Sequence, residues 1–380
     1  MSDRELLIVA GEASGDLHGA RLLSELRHLV GDVRAFGLGG DELEAAGFDA
    51  LAHSSEIAVV GITEVVKILP RARQIFRQLL EAVERRKPRA AILIDSPDFN
   101  MRLARKLARR GVEVIYYISP QLWAWRRGRV KAVERDVDLM MVLFPFEAGF
   151  YAEHGVKAAH VGHPLVDEIP RLDHRWDAEP HGPVGDLVVA LMPGSRRSEV
   201  RALLPPMLGA VRAMRAVRGV HARLIQAPTV PPELFDELLE ESGVEVERVR
   251  SHRHRAVADC HLALVASGTA TLEVALLGTP MVVLYRLNPM TYWLASRLVD
   301  LPHFCMVNLV LEERVVPELL QDETEPANVA REALSLAADD DRIRAMRARL
   351  ADLRGALGSS GASGRAAAAV AEHLGWGASA

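Results

Sequence analysis

The sequence predicts an α/β chain built as two doubly wound domains, each a parallel sheet flanked by helices. Three observations carry this reading. Short apolar runs rich in β-branched residues alternate with helix-period patterns, which is the signature of βαβ units. The alternation lapses between His163 and Asp186, where Pro164, Pro170, Pro180 and Pro183 fall, and then restarts. A length of 380 residues gives two to three domains at roughly 150 residues each, and 49% hydrophobic content is enough to fill their cores.

The first strand is expected at 5–10, where Leu6-Leu7-Ile8-Val9-Ala10 follows a short charged opening. That opening does not read as a secretory leader, so a cytoplasmic location is expected. Further strands are expected at 33–38, 90–95, 112–118, 138–143 and 158–162. Ahead of the third, Ala72, Ile75, Phe76, Leu79, Leu80 and Val83 form one stripe of a helix whose first turn admits Pro70. The first domain is therefore 1–165, followed by a linker over 166–186 and a second domain over 187–357. Strands of the second domain are expected at 187–192, 221–226, 244–249, 261–265 and 281–285. The stretch from Leu262 to Tyr285 is apolar, but Gly268, Glu273, Gly278 and Pro280 interrupt it, whereas a membrane span needs about 20 apolar residues. It reads as strand, turn, helix and strand. In the last segment, 358–380, a Gly-Ser-rich stretch precedes a helix from Arg365 to Leu374, too short and Ala-rich to stand alone. It is expected to pack back on the first domain or on a partner subunit, which leaves a homodimer open. Only two cysteines, Cys260 and Cys305, exclude a disulfide framework.

Charge is distributed unevenly. Lys67 to Lys131 holds 17 Lys and Arg against 5 Asp and Glu, a net +12 that leaves −17 for the rest of a chain whose total is −5. One part of the molecule therefore faces something anionic: nucleic acid, anionic lipid or a phosphorylated small molecule.

Doubly wound sheets bind ligands beyond the carboxyl ends of their strands, and two of them bring those ends to one cleft, so the chemistry is sought in the strand-end loops. Gly11 to Asp16 follows a buried strand and opens a helix, and it lacks the ending of a P-loop and the spacing of a dinucleotide fingerprint. It is either an anion or hydroxyl cradle or a plain turn capped by Ser14 or Asp16, while Glu12, ahead of the cap, has no structural reason to be acidic. Ala91-Ile92-Leu93-Ile94 is a central strand that delivers Asp95 to its carboxyl end, where a carboxylate can act as a general base. Asp98, just after Pro97, reads as the cap of the next helix. Trp123 and Trp125 precede Arg126, Arg127, Arg129 and Lys131, a pattern that suits single-stranded nucleic acid or a sugar and its phosphate, with at least one tryptophan anchoring the loop in the core. Ser14, Asp16, Asp98, Asn100, Gln121, Trp123 and Arg126 are candidates to hold an acceptor. In the second domain, Gly194, Ser195 and Arg196 suit a diphosphate, because arginine binds phosphate oxygens in a fork. Ser267, Gly268, Thr269 and Ala270 open another helix, and Glu273 lies one turn in, where an unpartnered buried carboxylate would be costly. His252, His254, Cys260 and His261 lie close in sequence but lack regular ligand spacing, so no metal site is expected.

Taken together, VAGEASGD, EIAVVGITEV, IDSPDFN, YYISPQLWAW, FPFE, VGHPL, MPGSR, SGTATLE, YRLNPMTYWLA and VPELLQ resemble the lipid A disaccharide synthases over nearly the whole chain. These are inverting glycosyltransferases of the GT-B type, two Rossmann-like domains facing a cleft. The resemblance implies that UDP-2,3-diacylglucosamine is joined to 2,3-diacylglucosamine 1-phosphate with release of UDP, with the UDP-sugar as substrate and no cofactor or metal. It makes Asp95 the base, Glu12 a second active-site carboxylate, and Arg196, the 267–273 turn and Asn308 parts of the UDP-sugar site. Around Asn308 the sequence departs from the family, which has Pro before this Asn and Ala-Gly after it. Acylated substrates imply a protein on an anionic membrane, peripheral on the inner face of the inner membrane. Val65, Val66, Ile68 and Leu69, beside the basic tract, suit an interfacial anchor or a packed helix face. Another GT-B enzyme or a UDP-sugar epimerase is the nearest alternative, and an RNA-binding protein using the basic tract a distant one; nucleic acid is not the expected partner.

Overall fold

A computed structural model describes residues 4–57, 65–125, 127–169, 185–288, 292 and 302–377. The chain divides into two compact units, Met1–Pro164 with Gly358–Ala380, and Leu165–Leu357.

The first unit is a seven-stranded parallel sheet of β1 (Glu5–Ala10), β2 (Arg34–Gly39), β3 (Asp49–His53), β4 (Ala90–Ile94), β5 (Glu113–Tyr117), β6 (Leu139–Val142) and β7 (Ala158–His160), in the order β3-β2-β1-β4-β5-β6-β7. Strands β1 and β4 are buried along their whole length, as their unbroken apolar runs demand of central strands. The chain winds outward from β1 through β2 to β3, then returns to β4 on the other side of β1. That reversal makes the β1/β4 border the switch point, where a crevice opens at the strand ends. Ala10 pairs with Ile94, so Gly11 and Asp95 leave the sheet at the same level.

Helices α1 (Ala13–Val30), α2 (Asp41–Ala45), α3 (Val65–Arg86) and α4 (Pro97–Ala108) fill the crossovers up to β5. The α3 stripe is as expected, with Ile75, Leu79 and Val83 buried and Phe76 and Leu80 packed at their edge. The helix starts earlier than its stripe predicts, so Pro70 lies inside it and not in its first turn. Residues 58–64 and the side chains of Val65, Val66 and Ile68 lie outside the described ones; Leu69 is exposed. The final helix begins at Ala362, three residues before the expected Arg365, and packs on α1 of its own chain. Ala366, Ala367, Val370 and Ala371 form its buried face, and Arg365 Nε donates to the Val161 carbonyl at 2.9 Å. A small-residue helix is therefore stabilised by close packing.

The second unit is a six-stranded parallel sheet, β8 (Leu187–Met192), β9 (Val220–Ile225), β10 (Glu247–Val249), β11 (Leu262–Ala266), β12 (Met281–Tyr285) and β13 (Glu318–Leu320), ordered β10-β9-β8-β11-β12-β13. Its switch point lies between β8 and β11. The stretch read as a linker, 166–186, starts inside a short helix, Leu165–Glu168, and its residues 170–184 lie outside the described ones. Edge strands β3 and β13, absent from the sequence reading, are short and mostly half-exposed, so neither carries an apolar run. None of the helices, among the described residues, is long and apolar enough to cross a membrane.

Candidate active site

At the switch point of the first unit, Asp95 and Ser96 both take left-handed backbone conformations, with φ of 48° and 44°. Non-glycine residues held there cost roughly 1–3 kcal/mol each, so the surroundings must fix them. The Tyr116 hydroxyl donates to the Asp95 carbonyl at 2.6 Å, and Asn100 Nδ2 donates to the same oxygen at 2.8 Å and to the Ile94 carbonyl at 3.0 Å. The Asp95 N–H donates to the Tyr117 carbonyl at 3.0 Å. This clamp acts on the backbone. Burial pushes the Asp95 carboxyl above the ordinary carboxylate range and the nearby Glu12 carboxylate pushes it further, with the Ser96 N–H pulling the other way.

Glu12 stands at the start of α1, exposed and making no capping bond. The two turns abut so closely that a Cβ on Gly11 would lie 2.8 Å from Ser96 Oγ, so a side chain at position 11 would have to displace Ser96. Glu12 and Asp95 thus form an acidic pair at the switch point, in which burial and the like charge raise the Asp95 carboxyl.

The other loop residues divide. Ser14 and Gln121 are exposed. Asp16 is buried, and its carboxylate accepts from the N–H groups of Gly40 at 2.6 Å, Glu42 at 2.9 Å and Leu43 at 3.3 Å, so it caps α2 and does not face the crevice. Asn100 is fully buried and serves the clamp, which removes it from direct acceptor contact. Asp98 is not the cap of α4; that position is Ser96, and Asp98 lies in the first turn, exposed and 3.5 Å from Arg129. Trp123 is the anchoring tryptophan: buried, edge-on to Phe146 with centroids 4.9 Å apart, its Nε1 donating to Glu147 Oε1 at 3.1 Å. Glu147, from the FPFE segment, also accepts from the N–H groups of Leu143 at 3.2 Å and Phe144 at 3.1 Å, and burial pushes its carboxyl up to about 7. It ties the Trp123 loop to the end of β6. Arg126 and the side chain of Trp125 lie outside the described residues.

In the second unit, the turn after β8 leads into the helix Arg197–Arg215 with Arg196 at its start. Arg196 is exposed and pairs with Glu199 Oε1 at 2.8 Å, while Glu199 Oε2 accepts from the N–H groups of Ser195 at 3.0 Å and Arg196 at 3.2 Å. Thr229 Oγ1 donates to the Ser195 carbonyl at 2.7 Å. Across the switch point, Ser267 Oγ donates to the Phe304 carbonyl at 2.9 Å, and Gly268 starts the helix Thr269–Leu276 with no side chain capping it. Thr269 is exposed and Ala270 half-exposed above this start. Glu273 is half-buried with His254 3.8 Å away; burial pushes its carboxyl up, against the pull of His254 and Arg253.

Asn308 differs from its expected role. It is fully buried, its Oδ1 accepts from the N–H groups of Val315 at 2.9 Å and Val316 at 3.0 Å, and its Nδ2 donates to the Val316 carbonyl at 2.9 Å. It shapes the loop ahead of β13 and has no face turned to a ligand. Cys260 is buried with its Sγ on the Ala256 carbonyl at 3.1 Å, and His261 Nδ1 accepts from the Val188 N–H at 2.9 Å. A concavity of about 490 Å3 beside β13, bounded by Arg314, Leu319, Arg342 and Arg349, includes none of the strand-end turns. Sequence reasoning missed Glu199 and Tyr116. The first was visible as a glutamate three residues after a helix start, and the second carried no signal, because it reads as one more apolar strand residue.

Two doubly wound units, each with polar turns at its switch point, are the parts of the GT-B fold class. Solved structures similar in fold include CalG4, the calicheamicin glycosyltransferase, at TM-score 0.61 and 18% identity over 99% of both chains. A UDP-GlcNAc 2-epimerase from Neisseria meningitidis bound to UDP-GlcNAc matches at TM-score 0.55 and 12% identity over 97% of this chain and 99% of that one. The particular family follows from sequence: the model of the lipid-A-disaccharide synthetase family matches residues 6–372. Lipid-A-disaccharide synthases of Myxococcus xanthus and Geobacter sulfurreducens are 43% and 41% identical, over 97% and 98% of each chain respectively. The chain belongs to this family and is a glycosyltransferase of lipid A biosynthesis.

Proposed function

We propose that the chain transfers the diacylglucosaminyl group of UDP-2,3-diacylglucosamine to the 6-hydroxyl of 2,3-diacylglucosamine 1-phosphate, forming the β-1′,6-linked disaccharide 1-phosphate and UDP. The observation that carries the assignment of the base is the clamped, partly desolvated Asp95 beside Glu12. Asp95 removes the proton of the acceptor hydroxyl as its oxygen attacks C1. The bond from C1 to the diphosphate oxygen breaks on the opposite face, which inverts the centre. Arg196 and the turns at 194–196 and 267–270 take up the charge on the leaving UDP, and Glu273 receives hydroxyls of the nucleotide. Neither metal nor cofactor takes part. Radiolabelled acceptor incubated with donor should yield disaccharide and UDP, and the rate should be the same with EDTA present; loss of activity in EDTA would contradict the metal-free scheme.

The acyl chains of both substrates bring the enzyme to a membrane. Phe76 of α3 meets Phe99 of α4 edge-on, with centroids 5.5 Å apart, so the two helices lie side by side. Arg73, Arg77, Arg102 and Arg105 on them are exposed and have no carboxylate partner among the described residues, and Leu69 is exposed at the start of α3. Other arginines of the basic tract are paired, Arg71 with Glu56, Arg86 with Glu5 and Asp49, Arg89 with Glu113, and Arg110 with Glu84. Exposed Arg73, Arg77, Arg102 and Arg105 on these neighbouring helices support this face as one that meets anionic lipid on the inner face of the inner membrane.

A further inference from the structure

A helix start ordinarily carries Ser, Thr, Asp or Asn, whose oxygen takes up N–H groups of the first turn. The helix Arg197–Arg215 has Arg196 there, and arginine has five donors and no acceptor. The N–H groups of Arg197, Ser198 and Glu199 therefore receive no cap from it. The two N–H groups just before them, of Ser195 and Arg196, are satisfied instead by Glu199 Oε2, while Oε1 of the same carboxylate holds the Arg196 guanidinium. Gly194 closes the turn from behind. Its φ is 116°, and a Cβ there would lie 2.5 Å from Glu199 Oε2 and 2.6 Å from Glu199 Cβ, so the turn is built around this one side chain. The Glu199 side chain is 28% exposed and that of Arg196 79% exposed, so the carboxylate sits under the guanidinium and leaves its outer side to solvent.

We infer that Glu199 is a positioning residue for the donor diphosphate. It fixes the Ser195–Arg196 turn and presents the Arg196 fork beside N–H groups that are left open for phosphate oxygens. The inference rests on the reading that this turn receives the diphosphate. Two effects of opposite sign compete, since a carboxylate beside a diphosphate also repels it. The Arg196 guanidinium already neutralises Glu199 at 2.8 Å, so the repulsion is small, and losing the organised turn has the larger effect.

The test is titration of UDP and of uridine into the full chain and into Glu199→Ala, Glu199→Gln, Arg196→Ala and the double variant, with thermal melts of each. Glu199→Ala should weaken UDP binding by about 10-fold, the scale of a lost charged hydrogen bond, and leave uridine binding unchanged. Glu199→Gln keeps an acceptor for the turn but loses the ion pair, and should weaken UDP by about 3-fold. In the Arg196→Ala background the Glu199→Ala effect should shrink below about 3-fold, because the two residues act together. Donor KM should rise and acceptor KM should not. Unchanged or tighter UDP binding in Glu199→Ala overturns the inference, as does an equal loss for uridine. If Glu199→Ala fails to fold, wild-type UDP affinity in Glu199→Gln overturns it. Should Arg196→Ala itself leave UDP affinity unchanged, the diphosphate assignment fails; should Arg196→Ala weaken UDP and the Glu199 variants not, only the role of Glu199 fails.

Discussion

Tyr116→Phe is the most informative structural perturbation of the first unit, because it changes one hydrogen bond and nothing in the shape of the core. The lost bond is the 2.6 Å contact from the Tyr116 hydroxyl to the Asp95 carbonyl. That carbonyl keeps Asn100 Nδ2 at 2.8 Å, so it is not orphaned, and the cost is that of one ordinary buried hydrogen bond, about 1 kcal/mol. Two left-handed residues, each strained by about 1–3 kcal/mol, depend on this clamp. A loss of about 1 kcal/mol falling entirely on the active arrangement lowers kcat roughly fivefold. Thermal unfolding of the first unit should shift down by about 2–4 °C. Asn100→Ala removes both donated bonds and should cost more, about 2–3 kcal/mol. The assay is disaccharide formation at saturating substrate beside a thermal scan. Tyr116→Phe with unchanged kcat and unchanged melting would refute the clamp; a loss as great as that from removing the Asp95 carboxylate would mean that Tyr116 touches the reacting groups.

Three further outcomes are expected. Activity needs ionised Asp95, so the rate rises with pH through a limb set above the ordinary carboxylate range; Glu12→Gln removes the like charge and should move that limb to lower pH. Glu147 has its folded carboxyl raised from 4.5 to about 7, so between those values the folded state binds a proton that the unfolded state does not. Its contribution to stability therefore falls as pH rises across that window, by about 3 kcal/mol in all, and denaturant titrations of Glu147→Gln should lack that slope. Reversing Arg73 and Arg102 to Glu should weaken binding to anionic vesicles, strongly at low salt and little at high salt, with melting unchanged; equal binding by the variant would take the α3–α4 face out of membrane contact.

The sequence made the sheets legible because their central strands are unbroken apolar runs: Ala91 to Ile94 and Leu262 to Ala266 are buried throughout. Edges were harder, since β3 and β13 have only five and three residues and mostly half-exposed side chains. The place of Asp95 at the switch point was legible because the apolar run before it, Ala91 to Ile94, is unbroken. Asn100, Asn308 and Asp16 look equally polar in sequence, yet each satisfies backbone groups of a neighbouring loop, and only three-dimensional partners distinguish that from ligand contact. The position of Arg196 at a strand-end turn before a helix was legible, whereas Glu199, which pairs with its guanidinium, resembled an ordinary helix-start glutamate.

The central claim is that Asp95 is the base for the acceptor hydroxyl. Single-turnover disaccharide formation by Asp95→Asn, with donor, acceptor and folded enzyme all saturating, tests it most directly. A general base typically supplies about 10²- to 10⁴-fold, so the chemical step should slow by at least about 100-fold while UDP affinity and melting stay as in wild type. A chemical step within a few-fold of wild type would contradict the account.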